Sequence, residues 1–548
     1  MTRPGASSGW RDYGIVAGLL APVLAAIWTV PWFVTQDGLT HLYNASIIVD
    51  SFAADSAFRP YFEVHWSPLP NWGGHLALIG LLKVVSPWTA DRIMMSATLL
   101  GFAVAAVWAR GRIVGGRASF AAMALAAVSS LSFSWLMGFA GFQLGACLFP
   151  VTLAAWWTGR DDLRPGRMIA LGALLVLGYF CHLVSLGLTA CALAFLALFS
   201  PPSADAPRAR RRRLVRTGLC LIPLVFLGAI YLGLSRQGGP MRPKLPAPGA
   251  FLSVSGWLGR LGWVDPISLA MKDVLPFSDR IAPIFALFSP AVWLAAAGLL
   301  GLVAAALGTR EAGRRERERL VWLALAAILV LGGVFGPDAM GEGHGDYLPQ
   351  RVALLGLIAL IPAIDLGARS ARPSKTGRLA TIALTVALVL QTVVVWDYAL
   401  DCRNQAGRIA EAAATVGRGH RVATLLTDVR TRFRVNSMLH ADCWAGVARD
   451  AILWTNYETR HYYFPVQFRP GIAGPDSFEL ERIALMSAPE EAEERRRKWR
   501  RLLESHHDQI DELIVWRRDP ALDAITERFF EPVADHGAAR VFRRRLDR

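Results

Sequence analysis

Charged residues are scarce in this chain of 548 residues: they make up 18% of it, while hydrophobic residues make up 53%. The apolar residues come in long blocks without regular polar interruption, for example in 14–28, 291–308 and 379–396. A bilayer core needs roughly 20 apolar residues per helix, whereas the helices of a soluble domain show a polar face at helical spacing. This pattern excludes a string of ordinary soluble domains and predicts a polytopic α-helical membrane protein.

Cysteine is also rare, with six residues in the whole chain, and neither CxxC nor HExxH occurs. The sequence therefore offers no pattern for a metal site, and we assign no metal-binding residue from it. Cys402 and Cys443 lie in the C-terminal part of the chain. They could form a disulfide if that part lies outside the cytoplasm, but no spacing rule decides between the paired and the free state.

The net charge of +15 is not spread evenly along the chain. Much of it lies in short basic runs between apolar blocks, at 208–216, 309–319 and 369–378. Such runs are typical of cytoplasmic loops and of contact with lipid headgroups, so no nucleic acid is expected as a partner. With these runs in the cytoplasm, the protein is a multi-pass protein of the plasma (inner) membrane with a cytoplasmic N-terminus.

The membrane part is expected to cover residues 1–398. It would form a bundle of about 10–12 transmembrane (TM) helices, with external loops at 34–70, 235–284 and 336–351. The exact number stays open, because 71–109 holds two apolar runs while the positions of the basic loops require an odd number of crossings there. Polar residues without an excess of Lys and Arg collect on the external side, where ionisable groups near a membrane are usually functional.

The C-terminal part, residues 399–548, differs in composition because it is charged and its patterns are mixed. Residues 421–428 and 512–518 read as strands, 489–513 as a helix, and the last residues as a hairpin closing around 535–545. We therefore expect a small extramembrane α/β domain on the periplasmic or external side.

An acidic residue directly after the first membrane helix stands in the stretch DGLTHLYNA, at Asp37. This arrangement resembles the GT-C superfamily of membrane glycosyltransferases, and four further segments are similar to recurring segments of an uncharacterised bacterial branch of it. These segments are YFEVHWSPLPNWGGHLAL, MGFAGFQLG, GDYLPQRVALL and NYETRHYYFPVQFRP. The resemblance implies a GT-C-like bundle and a cell-envelope enzyme. Such an enzyme would transfer a hexosyl or pentosyl group from a polyprenyl-phosphate-linked donor to an acceptor on the external side.

The chemistry of such a donor requires one acid in particular. Because a phosphate-linked sugar already carries a good leaving group, an inverting transfer needs a single general base, unlike the paired carboxylates of typical glycosidases. Asp37 is the expected base. His41 lies four residues on, shares its helical face if the segment is a helix, and would orient the acid or bind the headgroup. The alternative is that Asp37 only caps the next helix.

The leaving phosphate needs cationic donors. Arg351 is the best candidate, because a guanidinium group matches a phosphate with two parallel hydrogen bonds; the alternative is that it anchors a helix end at headgroup level. Further donor-side candidates are His344, Tyr347 and His182, and possible additional pocket residues are Glu63, His65 and Asp346.

Two other functions stay open from the sequence. A transporter or lipid flippase for cell-envelope glycolipids would show inverted repeats and broken, charged helices, and we find neither. A bundle that only anchors the C-terminal domain would need far fewer helices. For the enzyme, the partners are the polyprenyl-phosphate sugar, membrane lipids and a glycan, lipid or protein acceptor. A divalent cation such as Mg or Mn is left open as a cofactor.

Overall fold

The computed structural model describes residues 9–201, 207–236, 242–269, 288–308, 313–341, 345–368, 374–429, 431–486 and 488–545. The chain divides into two compact units. The bundle unit comprises 1–25, 70–73 and 95–395, and the α/β unit comprises 26–69, 74–94 and 396–548. Residues 34–69, most of the segment expected to form the first external loop, belong to the α/β unit, which resumes at 396.

Within the described residues, eight helices are long and apolar enough to cross a membrane, and four shorter apolar helices accompany them. The prediction of a polytopic α-helical membrane protein is therefore confirmed. The α-helices that lie wholly or partly in the bundle unit and have most of their length in the apolar part of the chain are Gly9–Thr29, Pro87–Val114, Phe120–Ser130, Phe133–Leu136, Ala140–Gly159, Pro165–Cys181, Leu183–Phe199, Pro207–Cys220, Ile222–Ser235, Val254–Val264, Pro290–Gly308, Arg314–Phe335, Leu348–Ala368 and Lys375–Asn404.

Small residues bring two of the bundle helices into close contact. A Cβ atom added at Gly333 would lie 2.8 Å from the carbonyl oxygen of Pro349, and one added at Gly356 would lie 3.1 Å from that of Ala326. The two helices, Arg314–Phe335 and Leu348–Ala368, therefore pack backbone against backbone, as small residues allow in membranes. Of the eight helices that could span a membrane, the second of this pair is the most enclosed, with 94% of its apolar stretch buried.

A buried ion pair joins two helices of the bundle unit. Arg110 donates from Nε to Asp365, and its Nη1 donates to the carbonyl oxygens of Gly115 and Gly116 at 3.1 and 2.8 Å. The backbone N–H of Ser119 donates to the same carboxylate at 3.0 Å. The exposed fractions of Arg110 and Asp365 are 2% and 1%, so the pair and its loop form one enclosed polar group, as charges inside a membrane bundle require.

The α/β unit contains two sheets. Their strands are β1 Phe62–Val64, β2 Arg421–Leu426, β3 Ile452–Leu453, β4 Val466–Phe468, β5 Glu512–Trp516, β6 Phe530–His536 and β7 Ala539–Arg544. The larger sheet has the strand order β3-β2-β5-β7-β6, in which β2 is parallel to β3 and β5, and β7 is antiparallel to β5 and β6. Strands β1 and β4 pair antiparallel in a separate ribbon. The predicted strands and closing hairpin are confirmed, as is the C-terminal α/β region.

The helices of the α/β unit are Gly38–Asp50, Trp72–Leu82, Ala406–Ala413, Cys443–Arg449, Ser477–Leu485, Ala492–His506 and Pro520–Thr526. Helix Ala492–His506 is shorter than the predicted 489–513 and buries Trp499, whose Nε1 donates to the hydroxyl of Thr526 at 3.1 Å. Its charged side chains are exposed or half-buried, except that of Arg495, which is buried and donates to the carbonyl oxygen of Met486. The apolar stripe of this helix therefore closes one side of the sheet core.

Helix Gly38–Asp50 positions two candidate site residues: Asp37 directly precedes it and His41 lies in it. It is buried along most of its length, and its polar side chains have partners far along the chain. The amides of Asn44 and Asn456 exchange two hydrogen bonds, at 3.0 and 2.9 Å, and the hydroxyl of Tyr43 donates to the carbonyl of Ala451 at 2.8 Å. These bonds hold the helix against the residues just before and just after β3.

Both C-terminal cysteines are free. The thiol of Cys402 lies 3.7 Å from the carbonyl oxygen of Val34, and that of Cys443 lies 3.5 Å from the hydroxyl of Thr40. Each thiol is thus buried beside the first loop as a small core residue.

Candidate functional site

Asp37 occupies the N-cap position of helix Gly38–Asp50, but its side chain makes no capping hydrogen bond. Its carboxylate instead accepts a hydrogen bond from the hydroxyl of Tyr457, and its Oδ1 lies 3.8 Å from Nε2 of His440. The side chain of Asp37 keeps 11% of its surface exposed. The carboxylate is therefore held by groups of the C-terminal segment rather than by the helix it precedes, and it is enclosed without being sealed.

The electrostatic surroundings of Asp37 change its acidity. Burial raises the pKa of Asp37 to about 7; the nearby His41 and the Tyr457 hydrogen bond lower it, and Glu481 and Glu458 raise it further. The pKa of Tyr457 lies well above its usual value, chiefly through burial, so its hydroxyl keeps the proton that it donates. A carboxylate with a pKa near neutrality is suited to accept a proton at neutral pH.

His440 contributes no charge to Asp37 at neutral pH. Burial lowers its pKa to about 4, with a further lowering from His41. The 3.8 Å separation of the two side chains is therefore a contact between a carboxylate and a neutral imidazole, and not an ion pair. A neutral ring can orient the acid or a bound hydroxyl group without fixing the acid in its ionised form.

His41 turns toward a second carboxylate, Glu458. Its Nδ1 lies 2.5 Å from Oε1 of Glu458, and Nε2 of His75 lies 2.9 Å from Oε2 of the same group. All three residues are buried. Burial alone would raise the pKa of Glu458, but His75 and His41 outweigh it and lower that pKa to about 2. Glu458 is thus a carboxylate held between two imidazole rings.

This trio is a candidate metal site. One potential ligand atom from each of His41, His75 and Glu458 lies within 4.8 Å of the other two. Two imidazoles and one carboxylate are the protein ligands of many zinc enzymes, and the mixed N and O set also accepts other divalent ions. The donor chemistry of the trio therefore fits a divalent cation.

Asp91 adds a further carboxylate to this part of the α/β unit. It is 3% exposed, and among the described residues its Oδ2 has no hydrogen-bond partner. A Cβ atom added at Gly38 would lie 3.2 Å from Asp91 Oδ1 and 2.3 Å from the hydroxyl of Thr35, so glycine is what lets these groups approach the first helical turn. A buried carboxylate oxygen without a donor is costly, so this oxygen of Asp91 needs an explanation.

The bundle unit contains the second set of predicted residues. Arg351 is 6% exposed; its Nη1 lies 3.0 Å from Nε2 of His182, and its guanidinium lies over the rings of Phe139 and Phe142 at 4.3 and 5.2 Å. The ring of Tyr347 lies 5.8 Å from that of Phe139. The structure thus brings Arg351, His182 and Tyr347 together, and the arginine is enclosed by aromatic rings instead of lying exposed at a helix end.

Two further predicted residues belong to the α/β unit. Glu63 lies on β1 and His65 directly after it; they pair with each other at 2.9 Å and are about one-third exposed. Neither forms a hydrogen bond or ion pair with Asp37 or Glu458 among the residues that the structure describes. Asp346 is exposed, and His344 lies outside the described residues.

Sequence reasoning did not select several residues that the structure brings to Asp37 and His41. Glu458 lies 417 positions from His41 and 383 from His75, and no local spacing connects such residues. The GT-C resemblance could have pointed to some of these residues, because they fall inside the segments that carry it. His440 and Asp91 lie outside those segments, and no sequence pattern pointed to them. The members inside those segments are His75, Tyr457 and Glu458. Phe139 and Phe142, which lie beside Arg351 in the bundle unit, also fall inside one of these segments.

The structure is similar to that of ArnT from Cupriavidus metallidurans bound to undecaprenyl phosphate, at 13% identity and a TM-score of 0.43 over 99% of each chain. It is also similar to that of the Archaeoglobus fulgidus oligosaccharyltransferase in complex with Zn and sulfate, at 11% identity and a TM-score of 0.39, over 95% of this chain and 71% of that one. No family model and no curated protein matches the chain. At these identities and TM-scores, the two likenesses say nothing about substrate, reaction or the role of a residue here.

Proposed function

We propose that the chain is an integral membrane glycosyltransferase that moves a hexosyl or pentosyl group from a polyprenyl-phosphate-linked donor to an acceptor on the periplasmic or external side, with inversion. The observation that carries the proposal is the placement of Asp37. It is a nearly enclosed carboxylate that occupies a helix N-cap position without capping; the Tyr457 hydroxyl bonds to it, and Nε2 of His440 lies 3.8 Å away. The sequence resemblance supplies the donor class.

In the proposed reaction, an acceptor hydroxyl attacks the anomeric carbon while the bond from that carbon to the phosphate oxygen breaks. The phosphate leaves with the bonding electrons, and Asp37 takes the proton of the attacking hydroxyl. Tyr457 and His440 orient the acid. Since the leaving group needs no proton, one base is sufficient, and a single displacement inverts the anomeric centre.

The test of this proposal is a transfer assay on the purified protein in proteoliposomes. Polyprenyl-phosphate-linked hexoses and pentoses are supplied with a membrane glycolipid extract as acceptor, and the release of free polyprenyl phosphate is measured together with labelled product. Release coupled to product formation supports the enzyme. Movement of the intact donor across the bilayer without cleavage supports the flippase and contradicts the proposal.

Arg351 is proposed to bind the phosphate of the donor. Because a hydrogen bond to a charged group is worth about 1.5–3 kcal/mol, Arg351→Gln is expected to weaken the binding of undecaprenyl phosphate by about 10- to 100-fold, measured by titration in nanodiscs. The matched control is Arg112→Gln, an exposed arginine on another helix of the bundle, which should bind like the wild type. Unchanged affinity in Arg351→Gln would remove this role.

His41, His75 and Glu458 are proposed to hold a divalent cation, zinc being the ion that best suits two imidazoles and one carboxylate. When bound, such an ion would supply positive charge to a phosphate or sugar oxygen. The imidazoles of His41 and His75 and the carboxylate of Glu458 would hold the ion.

The expected result is about one zinc ion per wild-type chain after zinc loading and dialysis, and a loss of most of it in His75→Ala, with metal content measured by mass spectrometry. The control is His65→Ala, whose ring pairs with Glu63 on β1, and it should retain the ion. Equal metal content in the wild type and His75→Ala would contradict the assignment, whatever the transfer assay gives.

A further inference from the structure

The surface helix Val254–Val264 of the bundle unit has an unusual exposed side. Between 251 and 264 the only charged residue is Arg260, and it is buried, with 5% of its surface exposed. A helix facing water normally shows charged residues on its outer side. The exposed apolar side chains, with their exposed fractions, are Leu252 at 85%, Val254 at 78%, Trp263 at 56% and Leu261 at 38%.

Aromatic contacts fix the level of this helix along the bundle. Phe335 is the last residue of the spanning helix Arg314–Phe335. The centroid of its ring lies 5.7 Å from that of Phe251 and 5.6 Å from that of Trp257. A spanning helix ends where the hydrocarbon core meets the headgroups, the level at which Trp is enriched. The surface helix therefore lies at that boundary.

Arg260 fixes the rotation of the helix. Its Nε donates to the carbonyl oxygen of Val334 at 2.7 Å, and its Nη2 donates to those of Gly333 and Gly336 at 3.2 and 2.5 Å. It also pairs with Asp338. A guanidinium at the C-terminal end of a helix meets the free carbonyl groups and the negative end of the helix dipole. With Arg260 bound to the span, the exposed apolar side chains of the segment lie on the surface that the span leaves uncovered.

We propose that the interfacial segment, Leu252 to Val264, inserts its exposed apolar side chains into the boundary between headgroups and acyl chains of the bilayer. The occupant of this surface is lipid because the segment continues the lipid-facing surface of a span whose end it contacts. The preceding residues suit the same level: Arg242 and Lys244 are exposed, as headgroup contacts require. The Lys244 backbone pairs with Ala339 just beyond the span. This inference does not depend on the proposed enzyme activity.

The experiment uses nitroxide labels on the full chain in nanodiscs of phosphatidylcholine and phosphatidylglycerol at about 3:1. Leu252→Cys and Trp263→Cys are made in a Cys191→Ser background, because Cys191 is the exposed native thiol. The accessibility of each label to oxygen and to a water-soluble nickel complex is measured. Both labels are expected to be more accessible to oxygen than to nickel, as residues in an apolar boundary are.

Two reference labels give the scale. Leu331→Cys lies on the spanning helix Arg314–Phe335 and is 52% exposed, and Val533→Cys lies on β6 and is 42% exposed. The proposal is overturned if the labels at 252 and 263 follow Val533 in preferring nickel, or if they are shielded from both reagents, as beneath a protein partner. A variant that loses the elution profile of the parent is replaced by Val254→Cys, for which the same outcomes apply.

Discussion

Asp37→Asn is expected to reduce sugar transfer by about 100- to 10,000-fold, the range associated with loss of a general base. The amide has nearly the volume of the carboxylate but cannot accept the proton of the attacking hydroxyl. The substitution also removes a buried acid that makes no helix cap, so folding should be preserved. The measurement is the rate of product formation in nanodiscs, together with the thermal unfolding midpoint of the same sample.

Asp50→Asn is the matched control for this substitution. Asp50 ends the helix that Asp37 precedes and is half-buried, so the same chemical change is made at the other end of one element. It should transfer sugar like the wild type. A wild-type rate in Asp37→Asn, at unchanged stability, would remove the base from the proposed reaction even if the donor is still cleaved.

Arg110→Met is expected to lower the free energy of unfolding by about 3–5 kcal/mol, because it leaves the buried carboxylate of Asp365 without its partner. The substitution also frees the carbonyl groups of Gly115 and Gly116 that Arg110 holds. The reciprocal change, Asp365→Leu, should cost a similar amount, since it leaves a buried guanidinium. Thermal or denaturant unfolding in nanodiscs gives the difference.

The double variant Arg110→Met with Asp365→Leu separates the charge from the packing. An apolar pair often replaces a buried ion pair at little cost, so the double variant should lie closer to the wild type than either single one. Arg112→Met, two residues along the same helix and exposed, should change stability by less than about 0.5 kcal/mol. Additive losses in the double variant would show that the two side chains do not act as a pair.

The sequence by itself determined the features that depend on local composition. Apolar blocks of spanning length predict membrane helices because each helix must meet the length of the bilayer core by itself. The strands around Ala423 and Ile514 could be predicted for the same reason, since their signals lie within a few residues. Asp37 could be selected because it directly follows a membrane helix.

The tertiary structure decided which side chains meet. The sequence grouped His41 with Asp37 because they are four residues apart, but the ring turns to Glu458, more than 400 positions away. No periodicity could have paired that glutamate with His41 and His75. The structure also decided that Asp37 does not cap its helix. Local sequence patterns predict helices and strands because the interactions that form these elements are between residues close in the chain. Which distant polar groups pair depends on how the elements pack, so it cannot be predicted from any one segment.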